Sequence, residues 1–225
     1  MPNKVVQVFN RICFMISIPF VSIIHVMLNT YRQNVHILKT VIDDMIPFKQ
    51  AFVLPYIYWF FFVFAILLYF AVVDYRSYFR LLMSIIAGMF ICFIIYYFYP
   101  TTVPRPRVTG NDFLSGLVRN VIYKKDNPFN CFPSIHVLNS MLVTMFFCRF
   151  NKNLLLRGWA ILSCVSICLS TLFIKQHYMA DVVASILLGT IMYLLFTYDS
   201  LWNSVPVRRI MDIVIPHKIR SYYID

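Results

Sequence analysis

The chain of 225 residues is 60% hydrophobic and 13% charged, with a mean hydropathy of +0.73. Soluble domains are about half apolar and a quarter charged, so this composition excludes a water-soluble globule, a disordered chain and a disulfide-rich secreted scaffold. The net charge is +11, but Lys and Arg are dispersed between apolar runs. This pattern favours anionic lipid head groups over nucleic acid as the partner. We therefore expect a polytopic membrane protein.

Apolar runs without charges mark the predicted membrane spans, because a helix needs about 20 apolar residues to cross a bilayer core of about 30 Å. Six segments qualify: 12–31, 51–73, 81–98, 133–148, 158–174 and 182–198. The first run follows Lys4 and Arg11 and lacks a cleavage site of small residues, so we interpret it as a signal anchor. The predicted fold is all-α, a bundle of six transmembrane helices that forms one domain over residues 1–225.

Positive charges in the connections predict the orientation of the bundle. The connections 74–80 and 149–157 and the tail after Tyr198 are rich in Arg and Lys, and short loops of this kind remain in the cytoplasm. We expect both termini to be cytoplasmic, in an integral protein of the plasma membrane. Three segments then lie on the outer face: 32–50, 99–132 and 175–178.

Polar clusters in the outer-face segments are the candidates for chemistry, since polar groups at membrane depth are costly. His177 and Asp181 are four residues apart, so a helix places both on one face. There the carboxylate orients the imidazole and raises the basicity of its other nitrogen. Ser134 and His136 follow a proline at a predicted helix start, where free amides favour phosphate. Arg105 offers a guanidinium fork for phosphate oxygens.

Each cluster also has a structural interpretation when it is taken alone. The His177 and Asp181 pair is then an interfacial hydrogen bond, Ser134 is a helix N-cap, and Arg105 is a loop charge that reaches the lipid head groups. His25 is interpreted as an interfacial residue, and the acidic pair at 43–44 as a solvated loop or helix cap. The shared membrane face of the three clusters is what favours chemistry.

The combined pattern resembles the type 2 phosphatidic acid phosphatase superfamily, which includes the integral-membrane lipid phosphate phosphatases. The family pattern is K-x6-R-P, then P-S-G-H, then S-R-x5-H-x3-D, and its order and spacing match here from Phe98 to Asp181. The resemblance implies phosphoryl transfer without a metal or cofactor. His177 would attack phosphorus to form a phosphohistidine, Asp181 would orient it, and His136 would protonate the leaving alcohol.

Three positions depart from the family pattern, and two of them lose a phosphate-binding cation. They are Phe98 in place of Lys, Ile135 in place of Gly and Thr171 in place of Arg. Lys175 is a nearby replacement and Arg107 another, so Lys175 joins Arg105 and Ser134 as a predicted phosphate-binding residue. The stretches F-P-S-I-H and K-Q-H-Y-x-x-D are also similar to the branch of inositol phosphorylceramide and sphingomyelin synthases, which transfer a head-group phosphate between lipids.

The first functional prediction is a lipid phosphatase that hydrolyses a phosphate ester of a phospholipid or other phosphorylated lipid at the outer membrane face. The alternative is a lipid phosphotransferase, motivated by the two absent cations. A second alternative is a non-catalytic transporter or scaffold that keeps the fold. Neither the lipid nor the oligomeric state follows from the sequence.

Overall fold

A computed structural model describes residues 4–30 and 34–198, and its regular elements are helices. The helices are α1 Lys4–Phe14, α2 Ser17–Leu28, α3 Val41–Met45, α4 Val53–Val73, α5 Tyr75–Phe98, α6 Phe113–Leu117, α7 Tyr123–Lys125, α8 Ile135–Phe150, α9 Leu154–Phe173 and α10 Met179–Thr197. A 3₁₀ turn over Gln50–Phe52 leads into α4, and a π-helical turn over Val118–Ile122 joins α6 to α7. The basic tail used to predict the orientation lies outside the described residues.

Five helical segments in the described residues are long and apolar enough to cross a membrane. They are Val5–Leu28, Gln50–Val73, Tyr75–Phe98, Leu154–Phe173 and Met179–Thr197. This confirms the all-helical fold of an integral membrane protein but not the count of six spans. The remaining apolar helix, α8, has only 16 residues. It packs against α4, α5, α9 and α10, and a helix enclosed by protein need not match the thickness of the lipid.

Side-chain caps set the helix boundaries. Asp74 accepts hydrogen bonds from the backbone amides of Arg76 (3.0 Å) and Ser77 (3.4 Å), so α5 begins six residues before the predicted start of its span at 81. Asn153 accepts one from the amide of Leu155 (2.9 Å) at the start of α9. Charged residues can thus lie in the first turns of these helices, because their long aliphatic side chains extend along the apolar surface and keep the charged end in water.

Alternating helix directions bring the predicted clusters to one end of the bundle. The helices α2, α5 and α9 finish at this end, which we call the site end, and α4, α8 and α10 begin there. The hydroxyl of Tyr96, near the end of α5, donates to the carbonyl of Pro133 just before α8 (2.5 Å). The side-chain amide of Asn130 donates to the carbonyl of Leu28 at the end of α2 (2.6 Å).

Loops at the site end are held together by bonds to the segment that follows α5. Isolated bridges pair His36 with Thr101 and Thr102 with Phe129. The buried hydroxyl of Thr101 accepts hydrogen bonds from the amides of Cys131 (2.9 Å) and Phe132 (3.1 Å). These bonds position the chain immediately before α8, including the backbone carbonyl of Cys131.

Candidate active site

A cavity of about 440 Å³ lies at the site end, and both predicted catalytic histidines line it. His136 comes from the first turn of α8 and His177 from the turn between α9 and α10. Their ring centroids are 6.1 Å apart. Attack on phosphorus takes about 3–3.5 Å, and a hydrogen bond to the leaving oxygen about 2.6–3.2 Å. A phosphoryl group bound between the rings would therefore lie within reach of both histidines.

The protonation of His177 follows from its contacts. Its Nδ1 lies 2.9 Å from the carbonyl oxygen of Cys131 and 3.3 Å from Oδ2 of Asp181. A carbonyl oxygen can only accept, so in the neutral ring Nδ1 carries the hydrogen and donates it. The other ring nitrogen, Nε2, then keeps its lone pair. This is the tautomer that a nucleophilic histidine requires.

Asp181 has a second function beside its contact with the imidazole. Its Oδ2 also accepts a hydrogen bond from the backbone amide of Tyr178 (2.9 Å), which caps the start of α10, and the residue is only 1% exposed. The carboxylate is therefore fixed by the helix that carries it. Of the two acceptors at Nδ1 of His177, the Cys131 carbonyl is the nearer, and no residue pattern could have pointed to a backbone carbonyl.

Aromatic side chains hold His136. Its ring stacks on Tyr56, with centroids 4.5 Å apart and planes 29° apart, and lies 4.3 Å from the ring of Trp59. These contacts use the faces of the imidazole. The nitrogens at its edge remain available for a ligand in the cavity, as a proton donor to a leaving group requires.

Arg105 is not among the described residues that line the cavity, but it contacts Gln176, which is. Its guanidinium donates to the carbonyl of Asp126 and to Oε1 of Gln176, both at 2.6 Å, and lies 4.6 Å above the ring of Tyr123. A guanidinium only donates, so the oxygen of the Gln176 amide faces it and Nε2 is directed elsewhere. Gln176 lines the cavity beside His177. Within the described residues, Nε2 of Gln176 and Nε of Arg105 are buried donors without an acceptor.

A family model of the PAP2 superfamily matches residues 22–195, from α2 to near the end of α10. The chain belongs to the PAP2 superfamily. No curated protein and no solved structure matches it. The match confirms the superfamily that the three motifs resemble and does not distinguish its branches. Membership indicates a phosphatase or a related phosphotransferase.

Two predicted phosphate ligands of this PAP2 protein are engaged elsewhere. Ser134 is wholly buried, and its hydroxyl caps α8 by accepting from the amide of Val137 (3.4 Å). The ammonium of Lys175 donates to the backbone carbonyls of Asp43 (3.0 Å) and Ile46, and so ties the α3 loop to the turn before α10. Neither residue is among the described residues that line the cavity. Their phosphate-binding roles stay predictions.

The two positions that carry cations in the PAP2 pattern are not among the described residues that line the cavity. Phe98 is 78% exposed, on the outside of the bundle. Thr171 is wholly buried, and its hydroxyl donates to the carbonyl of Cys168 (2.8 Å). The carbonyl of Thr171 accepts the amides of Gln176 (2.9 Å) and His177 (3.1 Å). Thr171 thus shapes the turn that carries His177.

A cluster around Asp126 was not foreseen from the sequence. His25, interpreted there as interfacial, lines the cavity, and its Nε2 lies 3.8 Å from Oδ1 of Asp126. The side-chain amide of Asn29 donates to the same oxygen (2.5 Å). Burial raises the pKa of the Asp126 carboxyl, but contact with His25 and the charges of His136 and Arg105 outweigh it, so the pKa lies below its ordinary value. No local pattern links residue 25 to residue 126.

Proposed function

We propose that this PAP2 protein is a membrane enzyme that hydrolyses a phosphate ester of a lipid through a phosphohistidine at His177. The observation that carries the proposal is the 6.1 Å separation of the His136 and His177 rings in one cavity. The hydrogen bond from Nδ1 of His177 to the Cys131 carbonyl supports it, because it leaves Nε2 as the nucleophile.

In the first step, Nε2 of His177 attacks phosphorus, and the bond between phosphorus and the leaving oxygen breaks. His136, whose protonated form is favoured by the negative charge of the bound phosphate, donates its proton to that oxygen, because an alkoxide is a poor leaving group at neutral pH. Positive charge develops on the His177 ring as the bond between nitrogen and phosphorus forms. The Cys131 carbonyl and the Asp181 carboxylate, both at Nδ1, stabilise that charge.

In the second step, water attacks phosphorus from the side opposite His177. His136, now neutral, accepts a proton from the water, the bond between nitrogen and phosphorus breaks, and phosphate leaves. If a lipid hydroxyl takes the place of water, the same step transfers the phosphoryl-bearing group to another lipid. Positioning and charge stabilisation supply most of the catalysis in such a transfer. We therefore propose that Gln176 and Arg105 bind the phosphate oxygens.

Lipid phosphotransfer is a second candidate, and the donors next to His177 favour it. The Gln176 amide is neutral, and the guanidinium of Arg105 is engaged by Asp126 and Gln176. A phosphodiester carries one negative charge, which suits this donor set better than a phosphomonoester dianion does. The two functions are separated by supplying the purified enzyme with a phosphodiester lipid and an acceptor lipid. Hydrolysis releases a phosphate product to water, whereas transfer forms a new phospholipid.

The orientation belongs to the same proposal. Arg76 and Arg157 lie in the first turns of α5 and α9, and Lys152 lies between α8 and α9, all at the end opposite the cavity. Positive charge of this kind favours the cytoplasmic side. We therefore place the cavity at the outer leaflet of the plasma membrane and both termini in the cytoplasm.

Replacing Asp181 by Asn should lower kcat by about ten- to one hundred-fold. The charge that stabilises the imidazolium is lost, but the Cys131 carbonyl still holds Nδ1 of His177, so the loss should be smaller than the factor of about ten thousand known for a carboxylate that alone sets the tautomer. The measurement is steady-state turnover in detergent micelles. A loss as large as that of His177→Ala would show that the carbonyl cannot orient the ring.

Replacing Gln176 by Leu should reduce kcat/KM by about ten- to one hundred-fold, because one donor to the phosphate oxygens is removed while the nucleophile is kept. Gln176→Glu should be worse, since its carboxylate would pair with Arg105 and repel the substrate phosphate. Kinetics of both variants on one lipid substrate test this order. Wild-type kcat/KM in both variants would show that Gln176 does not bind the phosphate oxygens.

A further inference from the structure

Buried acceptor atoms without a donor cluster where α2 ends at the cavity. They are Oδ1 of Asn29 and Oδ1 of Asn130, neither of which has a hydrogen-bond partner in the described part of the chain. Both residues line the cavity, and they are only 6% and 2% exposed. The great majority of buried acceptors in proteins are paired, so this cluster indicates a ligand that donates hydrogen bonds.

The orientation of both asparagine amides follows from their partners. Nδ2 of Asn29 donates to the Asp126 carboxylate (2.5 Å), and Nδ2 of Asn130 donates to the carbonyl of Leu28 (2.6 Å). Both partners can only accept, so rotating either amide by half a turn would put two acceptors in contact. The oxygens are therefore the free atoms.

Next to the histidines, the unpaired atoms are of the opposite kind. Nε2 of Gln176 and Nε1 of Trp59 are buried donors that lack an acceptor among the described residues, and both side chains line the same cavity. Donors suit phosphate oxygens, whereas the acceptors at α2 suit hydroxyl groups. The cavity is thus polarised, with donors beside the reacting histidines and acceptors at the end of α2.

We propose that the acceptors of Asn29 and Asn130 form a subsite for the hydroxyl groups of a polyol head group carried on the substrate phosphate. The inference rests on the proposed function, since it takes the phosphate to lie beside His177. A trimethylammonium head group has no hydrogen to donate. A primary ammonium is disfavoured because Lys125 lines the cavity and Asn29 and His25 already contact Oδ1 of Asp126.

Binding of two short-chain lipids of equal charge tests the subsite without turnover. Phosphatidylglycerol and phosphatidylpropanol differ only in the two head-group hydroxyls, and each carries one negative charge. In a chain with Trp159→Phe and Trp202→Phe, the cavity residue Trp59 is the remaining tryptophan, so its fluorescence reports occupancy. We expect phosphatidylglycerol to bind about ten-fold more tightly, as two hydrogen bonds to buried acceptors would give. Equal dissociation constants would overturn the subsite.

Variants of the two asparagines locate the preference. Asn29→Leu and Asn130→Leu should each weaken phosphatidylglycerol binding and leave phosphatidylpropanol binding as it was. Asn111→Leu is the matched control, because Asn111 is exposed and is not among the described residues that line the cavity. It should keep the full preference, and loss there but not at Asn29 or Asn130 would contradict the assignment.

The comparison of the two lipids in the chain that keeps both asparagines tests the subsite even where an asparagine variant fails to fold. It also separates this inference from the proposed function. If the chain prefers phosphatidylglycerol but cleaves no phosphate ester, the subsite stands and the proposed function is overturned. If it cleaves lipid phosphates and binds both head groups with equal affinity, the proposed function stands and the subsite is overturned.

Discussion

His177→Ala should lower the turnover of a phosphorylated lipid by about four orders of magnitude or more, which is the scale of losing a covalent nucleophile. The variant removes Nε2, and the remaining groups can only assist a direct attack by water. Binding should persist, because the phosphate-oxygen donor of Gln176 and the aromatic wall of Tyr56 and Trp59 stay in place. Release of the alcohol product, measured at saturating lipid, is the readout.

Three controls accompany the His177→Ala measurement. His36→Ala removes an imidazole that stacks on Tyr99 (4.2 Å) and is not among the described residues lining the cavity, so it should keep wild-type activity. Thermal unfolding in detergent shows whether the His177 variant keeps its fold, and EDTA should leave wild-type turnover unchanged. Turnover by folded His177→Ala within about ten-fold of wild type would exclude His177 as the nucleophile.

His136→Phe should lower the turnover of an alkyl phosphate ester by about one hundred- to ten thousand-fold, the range of a general acid. Phenylalanine keeps the stacking with Tyr56 and Trp59 but carries no proton. A nitrophenyl ester should be affected far less, because nitrophenolate leaves without protonation. The comparison is therefore between the two leaving groups, in the same variant and with the same detergent.

The outcome for His136 separates chemistry from packing. A proton donor predicts a large loss with the alkyl ester and a small loss with the nitrophenyl ester. Equal losses on both substrates would show that His136 shapes the cavity or the fold and does not protonate the leaving group.

Much of the fold could be predicted from the sequence because the thickness of the bilayer sets the length of the apolar runs. The segments predicted at 51–73 and 182–198 correspond to helices at Gln50–Val73 and Met179–Thr197. The start of α5 was predicted late because Arg76 and Arg80 were assigned to the connection before the span, whereas Asp74 begins the helix by capping it. The sixth span remains unconfirmed because α8 is short and enclosed by other helices.

The meeting of His136 with His177 was predictable from the motif order and the common membrane face. The placement of Lys175 was not. Its φ of 55° turns the chain into the left-handed region between α9 and α10, and its ammonium reaches the backbone carbonyls of Asp43 and Ile46.

Other parts of the site depend on contacts between distant segments. The hydrogen bond from His177 to the Cys131 carbonyl involves an atom that every residue possesses, so residue identity cannot signal it. The contact of His25 with Asp126 joins α2 to a loop far along the chain. Such pairs become visible only when the packing of the helices is known.

The central claim is a covalent bond between phosphorus and Nε2 of His177, and trapping that adduct tests it most directly. The enzyme is mixed with a lipid that carries radioactive phosphorus, quenched in alkaline denaturant and digested for mass spectrometry. We predict label that is stable to alkali, lost in acid and confined to the peptide containing His177, with none in the His177→Ala variant. Turnover without labelled protein, or label on a residue other than His177, would contradict the mechanism.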